Sequence, residues 1–325
     1  MIPELDRVDA VYNAIEARDK RPDVYVSPFE AFKQRFPHIK WQDMSEIAAY
    51  RGTVASVINN LEDALVGPDQ DRDFFSIALH PPRLIRAVID WKIENPFDEV
   101  EDLVSQVVQT GLAIYAGDPN APELLQAFRG RIELEQPQLL TTIVEQKDDL
   151  PTWVGTDPEK SYETAKRLAY GYDGDNILLI ALGHGGTAAG MDVFLRYQDI
   201  TQSDSAFYVV RFSRHKKEDE KPQLTISEIA QLREMTQARR IIVFEEDSVS
   251  GKTMEGACSY FQLQLFNGLS IERAINYRAG YTSTVIDENK KPKEFTFAEL
   301  SIPEVVSFDK PILYTQTYNN SKIIA

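Results

Sequence analysis

Sulfur and imidazole are scarce in this chain: its 325 residues hold one cysteine, Cys258, and four histidines. A lone cysteine cannot close an internal disulfide, which fits a reducing, cytoplasmic setting. Cys258 falls in an apolar helical stretch and reads as a buried, inert thiol. His38 and His80 each stand beside proline with no Cys, His or Glu at metal-ligand spacing. They read as surface or partly buried loop residues. No apolar run approaches the roughly 20 residues of a membrane span. The start, Met1-Ile2-Pro3-Glu4-Leu5-Asp6, lacks the basic and apolar regions of a signal peptide. Repeats and low-complexity tracts are also missing. Positive charge is short, with 35 Lys and Arg against 51 Asp and Glu, a net −16. A phosphate backbone needs a basic face, so nucleic acid is disfavoured as a partner. A small anion needs only a local cationic pocket and is not excluded.

What is present is apolar patterning: 43% hydrophobic residues can bury a substantial core in two domains or one large one. Residues 1–150 read as a mostly α-helical domain. Val54, Ile58, Leu61 and Leu65 lie on one helical stripe, ended by Gly67-Pro68. Leu84, Val88 and Trp91 repeat the pattern after Pro81-Pro82, and Leu103, Val107, Val108, Leu112 and Tyr115 repeat it again. Pro122 opens a further helix, which Gly130 interrupts. No chemistry is readable in this half. Homodimerisation, partner docking and a roof over a site elsewhere all stay open for it.

Residues 151–325 alternate strands with helices, the pattern of an α/β fold with a parallel sheet. Lys147 to Gly155 reads as the linker. Asp157-Pro158-Glu159 starts a helix with proline at its first position. Ile177 to Leu182 is a compact strand, followed by Gly183-His184-Gly185-Gly186 and a further run to Gly190 before the helical Met191 to Tyr197. Glycines there let an anion approach backbone N–H groups. Ala206 to Phe212 is the next strand. The densest basic cluster follows, with Arg211, Arg214, Lys216 and Lys217 ahead of a mixed acidic stretch. Thr225-Ile226-Ser227-Glu228 has the form of a capping box. After it, Ile241 to Phe244 is a buried strand ending in the acid pair Glu245-Glu246. A loop through Val249, Ser250, Gly251, Lys252 and Thr253 then leads into a helix over Met254 to Phe266. Ile271 to Tyr277 alternates as a further strand.

Gly251-Lys252-Thr253 matches the end of a nucleotide P-loop, but the first glycine of that motif would have to be residue 246, a glutamate that faces phosphates badly. The whole stretch, from four apolar residues through two acids and a small loop to Gly-x-Thr, resembles the signature of type I phosphoribosyltransferases. Those enzymes bind 5-phosphoribosyl 1-pyrophosphate (PRPP). The resemblance spans roughly residues 158–280. It implies a phosphoribosyltransferase-like core that moves the phosphoribosyl group to a nucleobase or similar nitrogen acceptor, with release of pyrophosphate. Glu245 and Glu246 would hold the ribose hydroxyls, directly or through Mg²⁺. Val249 to Thr253 would cradle the 5′-phosphate, and Gly183, His184, Gly185 and Gly186 the pyrophosphate. Arg211, Arg214, Lys216 and Lys217 would belong to the mobile loop that closes over PRPP. The family covers its acceptor with a variable hood, to which the aromatic-rich tail with Phe295, Phe297, Phe308 and Tyr314 could contribute; Tyr277, Tyr281 and Phe308 fit an acceptor-stacking role and core packing equally. Three departures stand out: His184 replaces the usual cation of the pyrophosphate loop, the acid pair is Glu-Glu, and Val249 stands where 6-oxopurine enzymes commonly carry Asp. A non-catalytic PRPP- or nucleotide-binding regulator is the alternative.

Overall fold

The computed structural model describes residues 24–67, 71–95, 101–146, 150–183, 185–212, 222–248, 251–278, 282–286, 292–296 and 304–307, together with 13, 15 and 16. Among them are eleven helices and nine strands. The helices are α1 Pro28–Arg35, α2 Met44–Ile47, α3 Val54–Val66, α4 Asp71–Glu94, α5 Glu101–Ala116, α6 Ala121–Glu135, α7 Leu150–Gly155, α8 Pro158–Gly171, α9 Gly186–Thr201, α10 Ile226–Met235 and α11 Lys252–Tyr260. The strands are β1 Tyr50–Thr53, β2 Ile143–Gln146, β3 Ile177–Gly183, β4 Ala206–Arg211, β5 Arg240–Ser248, β6 Ile271–Arg278, β7 Thr282–Ile286, β8 Pro292–Thr296 and β9 Glu304–Ser307.

The main sheet has the order β4-β3-β5-β6-β9. Its first four strands are parallel and β9 is antiparallel at the edge. Every residue of β3 is buried, as an apolar strand covered on both faces requires. The order reverses at β3: the chain leaves it for β4 on one side and returns to β5 on the other. In open α/β sheets such a reversal opens a crevice at the carboxyl ends of the strands. Here those ends carry the Gly183–Gly186 turn and the Glu245–Thr253 stretch.

Helix α9 lies against the sheet and is buried along most of its length. Gly190 permits the contact, since a Cβ there would fall 2.8 Å from the Ala181 Cβ. The fit is the reason Thr187 to Gly190 belong to the helix and not to the glycine turn. The turn is therefore shorter than the spacing of its glycines suggests. The segment read as a linker also departs from expectation: Leu150–Gly155 is helical, and Trp153 is buried with Phe29 and Trp41 around it in edge-on contacts. Apolar burial drives this packing, so the helical half and the α/β half share one continuous core.

Helix α4 runs straight through Pro81-Pro82, where a fresh start was expected. Pro82 cannot donate to the Ala78 carbonyl. The Tyr115 hydroxyl of α5 donates to that carbonyl instead, at 2.6 Å. His80 is thereby carried on a buried helical turn and not in a loop. Burial, with the Arg83 charge beside it, pushes the imidazole down to about 3. Helix α6 likewise passes Gly130 without a break.

Two buried ionic contacts fasten the halves together. Arg196 of α9 bonds Asp192 at 2.9 Å and Glu30 of α1 at 2.8 Å. Lys92 of α4 donates to both carboxylate oxygens of Glu228, at 2.7 and 2.8 Å. Glu228 also completes the capping box with Thr225 and accepts from the Tyr208 hydroxyl at 2.7 Å. No described helix is long and apolar enough to cross a membrane.

Breaking one side of a buried ion pair strands the other charge and typically costs about 3–5 kcal/mol. Glu228→Gln is therefore expected to lower unfolding free energy by about that much in urea titration. A double variant with Lys92→Met should recover at least half of the loss. Equal stabilities of wild type and the single variant would contradict this account of the joint.

Candidate functional site

The site is built where β3 and β5 end. Successive strand residues point to opposite faces, and β5 shows the consequence. Phe244 turns toward α9, where it limits the space at Gly190. Glu246, two residues on, faces the same way. A Cβ on Gly185 would fall 1.5 Å from its Oε1, and one on Gly186 would fall 3.3 Å from its Oε2. Glu245 lies on the other face, in the electrostatic neighbourhood of Cys258 and Arg273. The twin acids of the sequence therefore do not converge on one point. One carboxyl group fills the glycine turn and the other belongs to the α11 side.

Glu246 is held there from behind. Gly155, at the end of α7, packs so closely that a Cβ would lie 2.3 Å from the Glu246 carbonyl oxygen. The Asn276 amide of β6 fixes that approach, donating to the Gly155 carbonyl at 2.9 Å and accepting from Thr164 of α8 at 2.6 Å. The Glu246 side chain is buried, with Asp247 and Glu245 close by. Desolvation and then those two charges hold its carboxyl well above the ordinary range, and a hydrogen bond with Asp247 acts in the same sense.

The phosphate-loop residues are only partly described. Gly251 has φ 72°, the left-handed conformation that glycine adopts most cheaply. Lys252 is exposed and Thr253 half-buried in the first turn of α11. Val249 and Ser250 lie outside the described residues, as do His184, Arg214, Lys216, Lys217, Tyr281 and Phe308. Tyr277 is buried under Lys160, whose Nζ lies 5.0 Å from the ring centroid. Cys258 is buried and its thiol is pushed up to about 12, mainly by burial, so it is no nucleophile. Arg211 stands beside Gly183 in the sheet register and donates to Asp90 of α4 at 2.7 Å.

That last contact leads to residues that pattern reading missed. Helix α4 presents Arg83, Arg86 and Asp90 at helical spacing toward this end of the sheet. Arg83 and Arg86 line a cavity of about 50 Å³ whose other wall includes Gly185 and Ala188. The signal was available in principle, because two arginines three apart share a helix face. What the sequence hid was the direction of that face.

Among the described residues, no group of three or more His, Cys, Asp or Glu side chains is arranged to hold a metal ion. The chain was compared with protein-family models, with curated proteins and with solved structures, and none of them matches it.

The raised pKa of the Glu246 carboxyl makes pH a probe of this arrangement. An acid whose folded pKa is raised keeps its proton when the unfolded chain has released it. Its contribution to stability falls as pH rises above the unfolded value of about 4.3. Glu246→Gln is expected to be more stable than wild type at pH 7, with the gap widening by at most about 1.4 kcal/mol per pH unit and closing below pH 4. Parallel melting-temperature profiles for the two proteins between pH 4 and 8 would contradict a buried, proton-retaining carboxyl.

Proposed function

We propose that the carboxyl edge of β3 and β5 binds PRPP and that the chain transfers its phosphoribosyl group to a nitrogen acceptor, releasing pyrophosphate. The observation that carries this reading is topological. The glycine turn and the acid–Gly-Lys-Thr stretch, distant in sequence, end neighbouring parallel strands at the point where strand order reverses. A donor with a phosphate at each end of a ribose spans two such turns.

The roles follow from the chemistry. Backbone N–H groups from Gly251 into the first turn of α11 suit the 5′-phosphate, because a helix N-terminus favours an anion. Glu245 suits a ribose hydroxyl, as a carboxylate accepts hydrogen bonds from both. Gly183 to Gly186, at the start of α9, suit the pyrophosphate. As it departs, positive charge builds on the ribose ring, and fixed dipoles and charges that neutralise the leaving group supply most of the rate.

Mg²⁺, when bound, would neutralise pyrophosphate oxygens and keep several of its waters, a mode that needs one or two carboxylates and no full protein cage. Glu245 fits such a ligand. Glu246 fits poorly in this conformation, since its carboxyl is biased toward the protonated form.

A second reading, a PRPP- or nucleotide-binding regulator without transfer activity, is favoured by the same carboxyl. It occupies the corner of the glycine turn that a pyrophosphate oxygen would need. The two readings part in a pyrophosphate-release assay with PRPP, Mg²⁺ and a panel of nucleobases. Transfer predicts release with at least one acceptor, reduced about 100-fold or more in Glu245→Ala. Calorimetric PRPP binding without release for any acceptor would support the regulator. Absence of PRPP binding altogether would overturn both.

A further inference from the structure

Arg83 is 6% exposed, and its hydrogen bonds go only to neutral groups. Nε donates to the Gln146 side-chain oxygen at 2.8 Å, Nη1 to His80 Nδ1 at 3.1 Å and Nη2 to the Ala48 carbonyl at 2.5 Å. Its guanidinium stacks 4.5 Å from the Tyr50 ring centroid. The groups with electrostatic influence on it are phenols, Tyr50 and Tyr115, and burial pushes it down to about 10. A buried guanidinium without a carboxylate is an uncompensated charge. His80 gives no relief, because its ring stays neutral down to about 3.

One turn further on, Arg86 shares Asp90 with Arg211, so one carboxylate faces two guanidinium groups. Both Arg83 and Arg86 line a cavity of about 50 Å³ that also has apolar walls from Phe29, Leu79, Val144 and Trp153 and includes Gly185 and Ala188 at the start of α9. Among the described residues of that lining the one carboxylate is Glu145, which is exposed. In a chain of net charge −16, two guanidinium groups beside a helix N-terminus are a local excess of positive charge. Its volume admits roughly three to five water-sized centres, at about 10–15 Å³ each. That is the scale of one phosphate tetrahedron and too small for a nucleoside.

We propose that this cavity is a binding pocket for a single phosphate group, with Arg83 and Arg86 of the helical half on one side and Gly185 and Ala188 at the start of α9 on the other. It rests on the PRPP reading only for the source of the phosphate, which is either free inorganic pyrophosphate or the pyrophosphoryl end of a sugar donor. The arginines supply the positive charge that the glycine turn itself carries weakly, with histidine at position 184. The helical half is then a working wall of the site.

The test is calorimetric titration of the full chain with inorganic pyrophosphate and, separately, with PRPP, each with Mg²⁺. Arg86→Gln removes a half-exposed cation and should leave the fold intact. Arg83→Lys keeps charge while losing the planar fork. Arg131→Gln, whose ion pair is with Glu135 of its own helix, controls for net charge. Loss of one charge-assisted phosphate contact should weaken pyrophosphate binding about 10- to 100-fold in Arg86→Gln and in Arg83→Lys. The melting temperature of Arg86→Gln should stay close to wild type, that of Arg83→Lys should fall because the Gln146, His80 and Ala48 partners lose the guanidinium fork, and the Arg131→Gln control should bind normally. If Arg86→Gln and Arg83→Lys bind pyrophosphate as wild type does, or if wild type binds none, the pocket assignment is wrong. PRPP binding that survives in those variants would overturn the pocket while sparing the PRPP reading. Arginine-dependent pyrophosphate binding with no PRPP binding would do the reverse.

Discussion

A carboxyl group pressed into a glycine turn, with two more acids beside it, is the constraint around which this end of the molecule is arranged. Glu246 reaches Gly185 and Gly186 because β5 alternates its side chains and because Gly155 closes the space behind it. Burial and like charges then demand a proton or a cation. Arg273 of β6 stands in the neighbourhood of Glu245, and Arg83 and Arg86 of α4 line the cavity that Gly185 borders. The helix dipole at the start of α9 adds typically 0.3–1 kcal/mol in favour of an anion. That is less than one pKa unit, so it moderates the proton demand of Glu246 without removing it.

The same end of the sheet depends on the helical half for its shape. Asn276 holds Gly155, α7 carries Trp153 into the cluster with Phe29, and α1 is tied to α9 through Glu30 and Arg196. Helix α9 is covered by the sheet on one side and by α4 and α5 on the other, so its burial is complete only when both halves are present. The Lys92–Glu228 pair adds a polar fastening between α4 and α10, where a mismatch would leave a charge in an apolar setting. Together these contacts fix α4 against the sheet, and in that position Arg83 and Arg86 line one cavity with Gly185.

Much of the α/β half was legible before any coordinates. Strands near 177, 206, 241 and 271, the capping box at Thr225 and the proline start at Pro158 are local features, encoded within a few residues. The errors were tertiary. Nothing near Pro81-Pro82 discloses that a tyrosine 33 residues on from Pro82 will satisfy the orphaned carbonyl, so a helix break was the natural inference. His80 reads as a loop residue for the same reason. Thr187 to Gly190 read as loop because glycine is a poor helix former, and only the near contact with Ala181 explains its place in α9. The acid pair was found, but its division between two faces depends on where β5 ends, and boundaries are the least local part of a strand.

Glycine at 185 fits two states of the site, and physical chemistry connects them. With Glu246 in the turn, the missing Cβ makes room for a protein carboxyl. With Glu246 withdrawn, the same gap admits a ligand oxygen to the α9 amides. A carboxyl and a phosphate exclude one another sterically, so under the proposed function a phosphate at this corner requires the carboxyl to leave. The exchange gains if the newcomer also reaches Arg83 and Arg86, whose polar partners are Gln146, His80, the Ala48 carbonyl and Asp90. Were Glu246 to move into water, its pKa would return toward the ordinary carboxylate range and it would release its proton at neutral pH. Under the proposed function, ligand entry and proton release would then be thermodynamically coupled, and lower pH would favour the carboxyl-filled turn.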